Sequence, residues 1–351
     1  MARRPRRYLP RRCRSKPQRT PATELRLKRA AAGPADCRER PRTTSRTALA
    51  SPARPPVPGA AVVGAGSWGT AFGRHLVNSG IETSLLARRA EQAREMQRSR
   101  HNPDYLTHLN LPVDLSYGTY GSADLSQIAL LVLAVPSKAY REVVSLPSSR
   151  LPTGIGVLSL TKGVEPASLR RLSEVLQTEL ASLTPAVAVL SGPNHAEEVV
   201  EDQPTASFIA SSDPVFAGAL QDIVTSETLR AYVNSDLIGV EFAGAVKNII
   251  AVATGMSDGL GDLVGTRTSR HSRNRLAGEM IARGQPPDTV EAEMGMIAEG
   301  LTPAPAILEI ARRAGVELPI TENLVAVLFE GKDVRTTVRD LMTRQPRSES
   351  P

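Results

Sequence analysis

The chain of 351 residues has two cysteines, Cys13 and Cys37, and none beyond them. A disulfide scaffold, a cysteine-ligated metal or iron–sulfur site and thiol catalysis are therefore excluded from the rest of the sequence. Aromatic residues make up only 3%, too few for the stacking platforms that hold single-stranded nucleic acid. No uninterrupted apolar run approaches the ~18 residues needed to cross a bilayer, so no membrane span is expected. The histidines lack metal-ligand spacing, and no metal is expected either.

Acidic residues are scarce at one end only. Residues 1–59 carry 17 Lys and Arg against 3 Asp and Glu, while the remainder carries 26 against 33. The formal net charge of +7 thus joins a strongly basic arm to a mildly acidic body. It does not describe one nucleic-acid-binding surface, and a nucleic-acid partner is disfavoured. Residues 1–58 contain ten prolines, one aromatic and no hydrophobic periodicity. Such a segment buries too little apolar surface to offset its ordering entropy, which predicts a disordered arm. It also lacks the apolar stretch of a secretory signal. The Ser/Pro-rich residues 346–351 read as a loose tail.

From Ala60 the pattern changes. The apolar runs 60–64, 81–89, 128–135, 154–160 and 186–191 read as strands separated by helical or loop segments. Continuous apolar strands alternating with helices predict a mostly parallel sheet covered on both faces. Beyond about Thr225 the strands fade. Residues 235–256 form a long apolar helix pattern, nearly hydrophobic all round and therefore expected to be buried. Further helices are expected at 304–316 and at 321–331, the second capped by Thr321. The division predicted is 59–224 for an α/β domain and 225–345 for an all-α domain.

Gly64-Ala65-Gly66-Ser67-Trp68-Gly69 matches G-x-G-x-x-G, follows an apolar strand and opens a helix, the context that makes this spacing a dinucleotide fingerprint. Gly64 allows the tight turn, Gly66 lets backbone approach a pyrophosphate, and Gly69 permits close helix–strand packing. The second strand ends in Arg88-Arg89, where NAD sites carry an acidic residue for the ribose hydroxyl. Two guanidiniums suit a 2′-phosphate, so NADP(H) is expected over NAD(H), which stays possible.

Polar clusters fall at the ends of later strands and in helices: Thr161-Lys162-Gly163, Ser191-Gly192-Pro193-Asn194, Lys247-Asn248, and Ser272-Arg273-Asn274-Arg275. Lys247 stands out, because a lysine inside an apolar helix seldom lacks a partner or a purpose. Burial and a neighbouring cation would lower its pKa and let it exchange a proton near neutrality. Together with GAGSWGTA, the strings LSLTKGVE, LSGPNHAEE, GVEFAGAVKNIIA, GDLV, SRNR, MGMIAEG and ELPIT resemble the bacterial NAD(P)-dependent glycerol-3-phosphate dehydrogenases, from about Ala60 to Lys332.

The resemblance implies a Rossmann domain followed by an all-α substrate domain, and NAD(P)H-dependent reduction of dihydroxyacetone phosphate to sn-glycerol 3-phosphate for phospholipid synthesis. It implies Lys247 as general acid/base, with Lys162, Gly192, Asn194, Asp262, Ser272, Arg273 and Asn274 around the substrate. Ser67, Trp68, Arg88, Lys162, Ala196, Arg273, Ile297 and Glu299 would contact the cofactor with the glycines and Arg89. A homodimer in the cytoplasm is also implied. His195 stands where the family more often has an aromatic residue, and it receives no role.

The resemblance breaks after Gly259. Family members continue through several tens of residues before the Gly-Asp-Leu string, whereas here Leu260 leads straight into Gly261-Asp262-Leu263-Val264. An internal truncation of the substrate domain is expected. A helix from Lys247 to Met256 would run about 14 Å, and the six residues 257–262 could return about 20 Å when extended. Asp262 would just reach Lys247. Loss of covering helices would also expose apolar surface on the long helix. The alternative reading is therefore a catalytically impaired homologue that retains dinucleotide binding.

Overall fold

The computed structural model describes residues 59–146, 148–259, 273–294 and 298–344. The expected arm (1–58) and tail (346–351), together with Asp262, Ser272 and Ile297, lie outside the described residues. Eight strands form one sheet: β1 (Ala60–Val63), β2 (Thr83–Ala87), β3 (Leu115–Thr119), β4 (Leu130–Leu133), β5 (Gly156–Ser159), β6 (Ala186–Ser191), β7 (Thr205–Ser211) and β8 (Leu229–Asn234). Their order is β3-β2-β1-β4-β5-β6-β7-β8, parallel throughout except for the antiparallel β6–β7 pair. The order reverses between β1 and β4, which opens a crevice at their carboxyl ends, where ligands bind in doubly wound sheets.

Helices α1 (Ser67–Asn78), α2 (Ala90–Ser99), α3 (Tyr140–Ser145), α4 (Leu172–Glu179), α5 (Ala196–Val200) and α6 (Pro214–Val224) accompany the strands. Successive residues of a strand face opposite sides of the sheet. Val62 accordingly packs with Phe72, Leu76 and Met96, while Ala61 and Val63 pack with Leu131, Tyr140 and Val144. Both faces are buried, which is why β1, β4, β5 and β6 read as unbroken apolar runs.

β8 lies past Thr225, where the apolar-run criterion expected strands to have ended. It is an edge strand with alternating burial, Leu229 and Ala231 inside, Arg230 and Tyr232 outside. A one-sided strand has no unbroken apolar run, so that criterion passes over it. The sheet thus extends to Asn234 rather than stopping at 224.

The remaining helices are α7 (Leu237–Gly259), α8 (Arg273–Ala282), α9 (Pro287–Met294), α10 (Ala304–Arg313), α11 (Pro319–Phe329) and α12 (Val334–Thr343). They enclose a separate core in which Ile249, Val252 and Met256 of α7 meet Ile281, Ile307 and Leu324. α11 begins two residues before the expected cap, with Pro319 in its first turn, and Thr321 is buried within the helix. Proline suits that position because its missing N–H has no intrahelical partner there.

α7 spans 23 residues and is apolar enough in length and composition to cross a membrane. It carries a buried Glu241 paired with Arg171 and packs against α8, α10 and α11, as a core helix does. It is not buried all round, however. Ile238 and Ile250 remain 54% and 44% exposed, so the expectation of full burial is corrected.

α7 and α8 approach through glycines. A Cβ on Gly255 would lie 1.9 Å from the Arg275 carbonyl oxygen, and one on Gly278 would lie 2.0 Å from that of Val252. Gly255→Val is expected to push the pair apart and lower stability by about 1–3 kcal/mol. Thermal melts of the two proteins check this, and an unchanged midpoint would contradict the crossing.

Candidate active site

At the end of β1 the chain turns at Gly64 with φ +109°. A Cβ there would sit 2.3 Å from the Ala134 carbonyl oxygen, and one on Gly69 would sit 1.8 Å from that of Gly64. The turn, α1 and the end of β4 therefore meet at a distance only glycine permits. Gly66 is the opposite case: apart from its own chain neighbours, no atom of the described residues comes within 4 Å of where its Cβ would stand. That open space faces a helix start with no side-chain cap and no acidic residue in its first turn. Uncapped amides at the positive end of a helix dipole, reached through open space, fit the pyrophosphate of a dinucleotide.

Two residues not foreseen from the sequence hold this loop. Gln92 Nε2 and Asn102 Nδ2 each donate to the Ala65 carbonyl at 3.0 Å, and Asn102 Nδ2 also donates to Thr70 Oγ1 at 2.8 Å. Asn102 is fully buried. Both are far from the loop in sequence, and nothing local marks them.

A cleft of about 450 Å³ runs from Gly64, Gly66, Ser67 and Trp68 past Arg88 and Arg89 to Arg273 and Glu299. The basic pair divides its work. Arg89 is ion-paired with Asp104, whereas no carboxylate partner of Arg88 is found among the described residues. Trp68 packs on Phe72 with ring centroids 6.1 Å apart, and its buried Nε1 has no hydrogen-bond partner among the described residues. Ala196, at the start of α5, is buried with Ala71, Leu106 and Val200 against Trp68, so its side chain backs the cleft instead of lining it.

Deeper in, four charged side chains from four parts of the chain converge. Lys162 follows β5, Lys247 sits in the middle of α7, Arg273 opens α8, and Glu299 lies in the turn before α10. Lys162 Nζ donates to Asn194 Oδ1 at 2.7 Å and to the Gly192 carbonyl at 3.3 Å. Burial, reinforced by Lys247 and Arg273 and opposed by Glu299, brings its ammonium down to about 7. Burial also lowers Lys247, with Arg273 adding to the effect and Glu299 and Glu198 opposing it. Glu299 is pushed up by burial against the pull of the three cations and of Asn248, whose Nδ2 donates to it at 3.4 Å.

These groups form one electrostatic unit, in which Lys247 and Arg273 make Lys162 a readier proton donor and Arg273 does the same for Lys247. Asn274 makes a contact of its own from α8. Its Oδ1 accepts from the Gly300 amide at 2.8 Å and ties α8 to the turn bearing Glu299. Asp262, Ser272 and Ile297 cannot be placed, since they fall outside the described residues.

The dinucleotide cradle, the switch-point crevice and the lysine cluster together define a two-domain nicotinamide-dependent dehydrogenase. Comparison with known proteins narrows that class. The N-terminal family description, NAD-dependent glycerol-3-phosphate dehydrogenase N-terminus, matches residues 59–217, and its C-terminal counterpart matches 236–261 and 257–339. The chain belongs to the NAD-dependent glycerol-3-phosphate dehydrogenase family.

It is 39% identical to glycerol-3-phosphate dehydrogenase (NAD(P)+) of Geobacillus thermodenitrificans over 328 residues, covering 82% of this chain and 95% of that one. The enzyme of the same name from Prosthecochloris aestuarii is 39% identical over 327 residues, covering 82% and 98%. The crystal structure of glycerol-3-phosphate dehydrogenase from Coxiella burnetii superposes with a TM-score of 0.75 at 30% identity, covering 82% of this chain and 99% of that one.

The comparisons also bear on the break after Gly259. The Geobacillus alignment runs over 328 positions but uses 82% of 351 residues, about 288, so about 40 of its positions have no residue here. The two C-terminal stretches overlap at 257–261, which locates a join there. α7 runs on to Gly259, three residues past Met256. Lys247 to Gly259 is then about 18 Å of helix.

Proposed function

We propose that the protein reduces dihydroxyacetone phosphate to sn-glycerol 3-phosphate with NADPH in preference to NADH. The convergence of Lys162, Lys247, Arg273 and Glu299 beside the dinucleotide cradle supports this most. Residues 59–234 serve as the cofactor domain and 235–344 as the substrate domain, in a cytoplasmic homodimer supplying phospholipid synthesis.

When bound, the reduced nicotinamide supplies a hydride. The protein's own groups do the rest. Arg273 and Lys162 neutralise the substrate's phosphate, the planar guanidinium pairing two oxygens at once. Lys247 gives its proton to the carbonyl oxygen as that oxygen gains charge, and takes it back in the reverse direction. Glu299 and Glu198 keep enough of Lys247 protonated, against burial, for it to act as the acid.

Oxidation of NADPH by the purified protein, dependent on added dihydroxyacetone phosphate, tests this reading, with a thermal melt to establish folding. The missing positions beyond α7 and the exposed Ile250 favour one alternative, an impaired homologue. Cofactor binding without turnover by folded protein would establish that alternative. Cofactor preference has its own test. With Arg89 engaged by Asp104, Arg88→Ala is expected to raise the KM for NADPH about tenfold or more and leave that for NADH within twofold, the loss of one charge-assisted contact. Equal effects on both cofactors would remove Arg88 from 2′-phosphate recognition.

A further inference from the structure

The end of β6 and the start of β7 contain a polar chain whose last member touches neither cleft nor solvent. Lys162 Nζ donates to Asn194 Oδ1 at 2.7 Å, and Asn194 Nδ2 donates to Ser207 Oγ at 2.8 Å. Asn194 is 5% exposed and Ser207 is completely buried. The polarity of this chain is dictated at one end, because an ammonium has only donors and must meet the amide's oxygen. The amide nitrogen then points to β7 and needs an acceptor there, which Ser207 Oγ provides. A rotated amide would turn two N–H donors toward the ammonium.

We propose that Ser207 is a positioning residue: by accepting from Asn194 it anchors that amide in the orientation the ammonium selects, and so holds the Lys162 ammonium beside Lys247 and Arg273. Its role in turnover rests on the functional reading above, while its effect on Lys162 does not. Without Ser207 the amide loses its anchor on β7 and only the ammonium itself favours the oxygen-first orientation, so Lys162 has a less firmly seated acceptor for its charged form. Lys162 is faced by Lys247 from α7 and Arg273 from α8, which both oppose its charge, and by Glu299, which supports it. The carbonyl of Gly192 is a second, longer contact at 3.3 Å. Asn194 is therefore the close acceptor in a mostly cationic setting.

Trace acetylation of Lys162 across pH, read by mass spectrometry on the intact chain, reports its charged fraction without requiring activity. Ser207→Ala is expected to lower the midpoint by about one unit, a tenfold change in the ammonium-to-amine ratio. In turnover, the KM for dihydroxyacetone phosphate should rise about tenfold near neutral pH with kcat within twofold. A second background separates orientation from packing. Asn194→Asp places an acceptor at both ends of the side chain, so rotation no longer matters. There Ser207→Ala should leave the Lys162 midpoint unchanged.

An unshifted midpoint in Ser207→Ala alone would overturn the proposal. So would an equal shift in both backgrounds, which would mean that Ser207 acts only through packing. If the midpoints shift as expected but the unsubstituted protein does not oxidise NADPH with dihydroxyacetone phosphate, the functional reading fails and the positioning of Lys162 stands.

Discussion

Lys247→Ala is expected to reduce turnover by about 10²- to 10⁴-fold, the range attributable to a positioned proton donor. The substitution removes a half-buried ammonium from the middle of α7, where burial already disfavours the charge. Folding should therefore survive, with a melting midpoint at or above that of the unsubstituted protein. Cofactor binding should also survive, since the cradle is built from β1, α1 and the residues that brace them. Trp68, the chain's one tryptophan, lies at that cradle and provides the fluorescence readout.

Two further observations separate proton transfer from simple charge at this position. Lys247→Arg keeps a cation that does not give up its proton near neutrality, and it should not restore the rate. Reduction needs the ammonium and oxidation needs the amine. In the unsubstituted protein the reductive rate should thus fall, and the oxidative rate rise, as pH passes upward through the lowered Lys247 pKa. Lys247→Ala should lose that limb. If it keeps both its rate and its pH profile, Lys247 is not the acid.

Legibility of the sequence followed the range of the interactions involved. Gly64, Gly66 and Gly69 could be read because the turn that needs them is local, and its neighbours AAVV and Ser67–Asn78 announce a strand and a helix. Lys247 could be read because a single charge interrupts an apolar pattern. β7 and β8 went unread because one of the two lies at the sheet edge and their polar positions break the apolar run. Gln92 and Asn102 could not be read at all, since the carbonyl they hold is 27 and 37 residues away. Glu299 was legible only as a cofactor contact implied by resemblance. Its attraction to Lys162 and Lys247 exists only once α7 and the turn before α10 are packed.

Glu241→Ala is expected to be among the most destabilising substitutions on α7, costing about 3–5 kcal/mol. One carboxylate oxygen of Glu241 accepts from the Ser173 backbone amide at 2.9 Å; the other accepts from Ser173 Oγ at 2.6 Å and Arg171 Nη1 at 2.9 Å. The side chains of Arg171 and Glu241 are 17% and 5% exposed. Ser173 lies in the first turn of α4, so a carboxylate from α7 satisfies an orphan amide at the positive end of another helix.

Truncation would leave that amide unpaired and, among the described residues, Arg171 with Glu174 as its remaining carboxylate and Ser173 Oγ as a neutral acceptor. At about 2–4 °C per kcal/mol, the melting midpoint should fall by roughly 10 °C. Glu241→Gln, which keeps an acceptor for Ser173 but not the charge, should lose less. Removing Arg171 as well should cost less than the two single losses combined, because neither buried charge is then stranded. Lys247 stands six residues along the same helix, so Glu241→Ala protein that remains folded below its lowered midpoint should also show reduced kcat with near-normal NADPH binding. A midpoint within 2 °C of the unsubstituted protein would mean that α7 is seated by its apolar face alone.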